Sequence, residues 1–374
     1  MSAGAAAKRM ASVAACLCGP SIQSAIREPL PALLTTVMPN AAPKPVIHII
    51  NGFMNENGGS EQEALHLAGL LRDRSELALW SSSSRFSRDL AQRYGIRRIG
   101  LRPGTRPEGG TFVFVGAHWR HTAWPYLVRA PRRLIYVFNT FHPKILSLTA
   151  AHPFMLRWPR TEYVAISDFQ RSLLGVECEV QPSPIDIARF SPSPDPRPDN
   201  ARPVIGRLSR DTTDKHDTDD IPLYRAWIED GAEVRLQGAT QFSAASGDAL
   251  GAMLRMQILP EGAVPTVAFL RGLDIFYYRT GAHVETFGRV VLEAMACGLP
   301  VVCHRRGGYA DWIRHGENGF LFDRSDEADQ LVRTLLANAG LRKTIGERAR
   351  ATVETMYSAK AARERADFYL REPR

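Results

Sequence analysis

The stretch GAHVETFGRVVLEAMACGLPVVC, residues 281–303 of the 374-residue chain, reads as loop, helix, turn and buried strand. His283-Val284-Glu285-Thr286-Phe287-Gly288 is too polar, and too broken by glycine, for a core element. Residues 289–297 alternate apolar and small side chains around Arg289 and Glu293, the pattern of a buried helix. Gly298 stands where a left-handed C-terminal residue is wanted, and Pro300 blocks continuation. Val301-Val302-Cys303 is the short apolar run of a buried parallel strand. Two carboxylates frame the unit, Glu285 just before the helix and Glu293 inside it. The loop amides and the helix N-terminus make a ready anion site. A carboxylate placed ahead of such a site can accept from sugar hydroxyls while the amides hold a phosphate.

Working toward the N-terminus, 204–209 (VIGRLS) opens a domain as a strand, with Lys215 beyond a polar stretch. The Asp217-Thr218-Asp219 triplet lies inside the charged loop DTTDKHDTDD rather than at the end of an apolar strand, so it reads as solvated loop and no essential metal is expected. Before that domain, residues 191–203 hold five prolines in thirteen positions and read as a linker. Residues 46–50 (VIHII) form a first buried strand, followed by the loop 51–59 with Gly58 and Gly59, and then a helix for which Ser60 and Glu63 predict a capping box. Strand, glycine turn and helix open a Rossmann-like half, without the Gly-x-Gly-x-x-Gly of a dinucleotide site. Further strands are expected at 77–80, 111–115, 134–138 and 163–167. Two of them end on His118 and His142, at the carboxyl ends where open α/β sheets bind ligands.

The residues Glu285, Phe287, Gly288, Glu293, Ala294, Gly298, Pro300 and Val301 together resemble the Glu-x7-Glu signature of retaining GT-B glycosyltransferases of the family-4 type (glycosyl transferases group 1). The resemblance covers about 46–372 and is stronger after 204. It implies two Rossmann-like α/β domains facing each other across a cleft: an acceptor domain at 44–190, the linker 191–203, a nucleotide-sugar domain at 204–356, and a helix at 357–374 crossing back to the first. It implies that Glu285 bonds donor-sugar hydroxyls, that Thr286, Phe287, Gly288 and Val290 help hold sugar and phosphate, and that Glu293 bonds the ribose. Arg207 and Lys215 would neutralise the donor pyrophosphate, a chemically natural pair for a diphosphate leaving group. Gly58 and Gly59 would let backbone approach the donor phosphate, with a tight turn as the plainer alternative. His142 would reach the donor sugar from the first domain. His118 has no counterpart and reads as structural. Asp186, Phe190 and Pro192 match the family pattern, but Pro182-Ser183-Pro184 stands where relatives carry Asn-Gly, and Asp311 stands where they carry Glu.

Composition sets the remaining bounds. The chain is 44% hydrophobic and 23% charged, an ordinary globular mix, with net charge +8. Between 85 and 133 there are eleven arginines against Asp89 and Glu108, either a solvated basic face or a surface for anionic headgroups or a pyrophosphate-linked acceptor. Trp124 and Tyr126 beside Arg129 add an aromatic element to that region. No motif supports nucleic-acid binding. The five cysteines form no Cys-x-x-Cys, and Cys297 and Cys303 sit in apolar runs as buried thiols, which fits a reducing cytoplasm. Residues 1–43 read as a disordered extension with a weak signal-like pattern, and Met38 would also serve as a start. The expected activity is transfer of a hexose-type sugar from a nucleotide-diphosphate donor to a saccharide or lipid-linked acceptor, in the cytoplasm or at the inner membrane face, with no cofactor. The rivals are a nucleotide-sugar-binding protein without turnover and a GT-B epimerase.

Overall fold

The structure, a computed structural model, describes residues 43–374 except 57, 117–122, 141–145, 147–148, 150–152, 154–155, 196–197, 199–201, 248–249, 252 and 373–374. The expected N-terminal extension, His118 and His142 therefore lie outside the described residues. Two all-parallel sheets carry the fold. The first is built from β1 (Val46–Asn51), β2 (Glu76–Ser81), β3 (Arg97–Arg98), β4 (Thr111–Val115), β5 (Arg133–Val137), β6 (Thr161–Ala165) and β7 (Glu179–Val180), in the order β3-β2-β1-β4-β5-β6-β7. The second holds β8 (Val204–Leu208), β9 (Glu233–Gln237), β10 (Met256–Leu259), β11 (Ile275–Tyr278), β12 (Val301–His304) and β13 (Phe320–Phe322), in the order β10-β9-β8-β11-β12-β13. Both orders run outward, return and run outward again from the first strand. Each sheet therefore has a switch point, between β1 and β4 and between β8 and β11, where a crevice opens at the strand carboxyl ends.

β1, β4 and β5 read as continuous apolar runs because both faces are covered. On one face Ile47, Ile49, Val113, Val115 and Ile135 pack with Ala64, Leu67 and Leu71 of α1 (Gly59–Leu71). Ala366, Phe368 and Tyr369 of the C-terminal helix α10 (Ala359–Leu370) complete that cluster, so the chain's last helix lies on the first sheet. The predicted capping box at Ser60 does not form. The helix starts two residues earlier, with Gly58 as its N-cap, and Ser60 Oγ turns instead to the Glu61 carboxylate. Glu63 is drawn away to accept from Ser183 Oγ at 2.7 Å, a longer-range partner that also satisfies a buried carboxyl.

In the second domain α7 (Arg289–Ala296) buries Val291, Leu292, Ala294 and Met295 against β11 and β12. Ile166, Ile185 and Phe190, from the first domain, join the same cluster beside Phe287 and Leu299, so the two domains share apolar contact at this point. Helix α7 ends as its sequence requires: Gly298 takes φ +76° just past the last turn. Among the described residues, no helix is long and apolar enough to cross a membrane.

Candidate active site

The loop after β11 and the loop after β8 meet at the second sheet's switch point, and a single carboxylate joins them. Glu285 Oε2 accepts from Lys215 Nζ at 2.7 Å and from the Tyr278 hydroxyl at 3.0 Å, while Oε1 accepts from the Gly288 N–H at 3.2 Å. Burial works against the charged form of Glu285, yet the Lys215 ammonium and the Tyr278 hydroxyl outweigh it and hold the carboxyl below its ordinary range. Its backbone is fixed as well: Gly308 N–H donates to Glu285 O at 2.9 Å. Gly288 must be glycine. Its φ is +78°, and a Cβ there would stand 2.3 Å from the Tyr309 ring.

Arg207 lies beneath this arrangement and is wholly buried. Its Nη1 donates to Arg279 O at 2.7 Å and its Nη2 to Lys215 O at 2.5 Å. The guanidinium thereby staples both loops together under the Tyr278 ring, 5.1 Å away, instead of facing the cleft. A buried carboxylate balances it. Asp220 Oδ2 lies 3.7 Å from Arg207 Nη1, and Oδ1 lies 2.8 Å from Arg279 Nη2 and accepts from the Tyr277 hydroxyl at 2.6 Å. Burial pushes the Asp220 carboxyl up to about 6 even with two guanidiniums pulling it down. Arg279 and Asp220 carry no sequence signal of this role. Only the fold shows that 220 and 279 meet behind 207.

Thr286 and Phe287 are buried, and their loop is gripped from the first domain. Ser167 Oγ donates to Thr286 O at 2.6 Å, and the Thr286 hydroxyl reaches Asn139 O at 3.5 Å. Nearby, Phe169 N–H donates to Asp311 Oδ2 at 2.9 Å. The site is thus held across the domain boundary.

A cleft of about 900 Å³ lies between α1 and the first turns of α7. Gly59 and His66 of α1 line one side, and Arg210, Arg289, Val290 and Glu293 the other. Glu293 is nearly buried, 3.8 Å from Arg289 Nε. Burial raises its carboxyl above the usual range although Arg289 and Arg189 oppose the shift. A carboxyl at a cleft wall suits hydroxyl recognition. Gly58 and Gly59 differ: a Cβ at 58 would meet Glu61, whereas nothing lies within 4 Å of one at 59. No group of His, Cys, Asp and Glu among the described residues could hold a metal ion.

Residues 257–352 match the family model described as glycosyl transferases group 1. The N-acetyl-alpha-D-glucosaminyl L-malate synthase of Bacillus anthracis is 46% identical over 72 residues, 18% of this chain and 19% of that protein. The capsular polysaccharide biosynthesis glycosyltransferase CapM of Staphylococcus aureus is 28% identical over 163 residues, 42% of each chain. These alignments therefore span well under half of either relative. The crystal structure of Anabaena Alr3699/HepE in complex with UDP and glucose superposes over 87% of this chain and 99% of that one, with a TM-score of 0.65 at 17% identity. The 257–352 segment belongs to the glycosyl transferases group 1 family, and the chain that carries it has the two-domain GT-B fold of the glycosyltransferases.

Proposed function

We propose that this chain is a retaining glycosyltransferase that moves a hexose-type sugar from a nucleotide-diphosphate donor to a saccharide or lipid-linked acceptor. The carrying observation is the Glu285 carboxylate. It is kept charged and immobile by Lys215, Tyr278 and the Gly288 amide at the second sheet's switch point. In this reading Glu285 accepts from donor-sugar hydroxyls. Lys215 and the amides around Gly288 take the diphosphate charge that grows as the glycosidic bond breaks. Thr286, Phe287 and Val290 shape the loop that holds the sugar, and Glu293 takes the ribose. Arg207 contributes from beneath, by its charge and by fixing Lys215. Gly59 leaves room for phosphate from the first domain, Gly58 starts the helix beside it, and the family resemblance assigns His142 to the donor sugar. No side chain is assigned as a covalent nucleophile, and no metal is part of the chemistry.

HepE was crystallised with UDP, which supports a uridine nucleotide as the first donor class to try. The name of CapM supports a surface-polysaccharide acceptor. A lipid-linked acceptor is supported by the arginine-rich 85–133 region, where Leu101, Tyr126 and Leu127 are exposed among Arg102, Arg106 and Arg129.

The test is nucleotide release from a panel of nucleotide sugars, wild type beside Glu285→Gln and Lys215→Ala. One donor should release nucleotide, and each variant should slow that release by about 10²–10³-fold, the size of one well-placed electrostatic donor. Tight donor binding without release, with or without added saccharide or lipid acceptors, would favour a binding protein. Release that survives both substitutions would move the chemistry elsewhere in the cleft.

A further inference from the structure

The loop between β11 and Glu285 carries a polar pair that the reading above does not use. His283 N–H donates to Asp214 O at 3.1 Å, and His283 Nδ1 lies 3.3 Å from Asp214 Oδ2. The two loops fit closely here, since a Cβ on Gly281 would stand 2.2 Å from His216 O. His283 Nε2 is 3.9 Å from Glu285 Oε2, too far for a hydrogen bond between them. Burial and the nearby Lys215 ammonium hold the imidazole below its ordinary range, so it is neutral at pH 7. With one proton to place, the ring puts it on Nδ1 toward the Asp214 carboxylate, and Nε2 keeps a lone pair. Two acceptors, His283 Nε2 and Glu285 Oε2, then stand side by side, with Lys215 closing the far side of Glu285. Neighbouring hydroxyls on one sugar ring are donors spaced to address such a pair. The imidazole is partly exposed, open to a ligand.

We propose that His283, oriented by Asp214, is a specificity-determining residue that accepts a hydrogen bond from a donor-sugar hydroxyl adjacent to the one taken by Glu285. This rests on the donor-site reading above. It assigns His283 to the sugar alone, because Nε2 has no proton to offer a phosphate. Asp214 is the positioning residue: without it the ring is free to take the other tautomer, whose Nε2 carries a proton that would turn toward Glu285.

Calorimetric binding separates the possibilities. Wild type, His283→Ala, His283→Gln and Asp214→Ala are titrated with UDP, GDP, ADP and dTDP and with the matching nucleotide sugars. For the donor that binds, His283→Ala should hold the free nucleoside diphosphate within about twofold of wild type and lose about tenfold for the nucleotide sugar, one neutral hydrogen bond's worth. His283→Gln, whose side-chain carbonyl is also an acceptor, should recover most of that loss, and Asp214→Ala should fall between. Among monodeoxy donors, one should bind wild type and His283→Ala alike, marking the hydroxyl concerned. Unimpaired nucleoside-diphosphate binding also shows that the variants are folded. An equal loss for nucleotide and nucleotide sugar would make His283 a structural part of the loop and overturn the proposal, as would no loss for either. Wild type binding no nucleotide at all would bring down the donor-site reading itself, and this assignment with it.

Discussion

Asn51 and Arg207 hold matching places in the two sheets. Asn51 is the last residue of β1 and Arg207 the last but one of β8, and each reaches across a switch point to the strand beyond. Asn51 Nδ2 donates to Val115 O at 2.7 Å, and its Oδ1 accepts from Phe53 N–H at 2.7 Å. Arg207 donates to Arg279 O and Lys215 O at similar distances. Both residues are buried and both fix the loops that follow. One does so with a neutral amide, the other with a buried charge that faces the Asp220 carboxylate, which it shares with Arg279. The same topology thus carries a neutral staple in one domain and a charged one in the other. Function here is set by what leaves the strands, not by their order.

Truncation should separate the two staples most sharply. Arg207→Ala removes two charge-assisted hydrogen bonds to the Arg279 and Lys215 carbonyls while Asp220 keeps Arg279, a loss of about 3–5 kcal/mol for the two bonds together. Asn51→Ala loses two neutral hydrogen bonds and leaves a carbonyl unmet, about 1–3 kcal/mol. Urea unfolding followed by tryptophan fluorescence reads both, with the two domains fitted as separate transitions. Equal losses would erase the contrast between charged and neutral staples.

The comparison also shows what a sequence can and cannot say about such a site. Glu285, Gly288 and Glu293 were legible because helix, glycine, proline and strand constrain their spacing. Lys215 was legible by type and order. The direction of Arg207 was not: its position suits a cation facing a diphosphate, and only the fold shows both Nη groups spent on carbonyls. Asp214 and His283 were passed over because they sit in loops without periodicity, and their pairing depends on how two loops close on each other. The capping box at Ser60 failed for the same kind of reason, since Ser183 offers Glu63 a partner that local spacing cannot foresee.

Each domain also buries a neutral histidine, which makes pH a second way to compare them. His48 accepts from Trp80 Nε1 at Nδ1, 2.9 Å, so its Nε2–H faces Glu108 O. His216 lies 2.8 Å from Gly238 O through Nε2 and stacks on Phe242. Burial, with the nearby Arg207 charge, pushes His216 down to about 3. His48 is lowered too, chiefly by burial. A folded-state value below the unfolded one of about 6.5 means that stability is full above pH 6.5. It is lost as pH falls, because the unfolded chain takes up a proton that the fold refuses. For His216 the slope is about 1.4 kcal/mol per pH unit, so about 2 kcal/mol between pH 6.5 and 5. His216→Gln should flatten the second domain's profile by that amount and leave the first domain's slope in place. A parallel shift of both would mean that the domains unfold as one unit.

The smallest expected effect falls on Gly59, where the two explanations for the paired glycines part. A methyl group there meets nothing within 4 Å, and the residue already has helical backbone at the first position of α1. Gly59→Ala should therefore leave stability unchanged or raise it by about 0.4–1 kcal/mol, by restricting the unfolded chain. If the glycine serves only the turn, nucleotide release from the preferred donor should be unchanged as well. If the open space over Gly59 is where a donor phosphate meets backbone, the methyl occupies it, and KM should rise several-fold in a protein that is, if anything, more stable. Few substitutions oppose the two quantities in this way. A rise in KM with no loss of stability can come only from what enters the space that the methyl takes, because no protein atom lies within 4 Å of it.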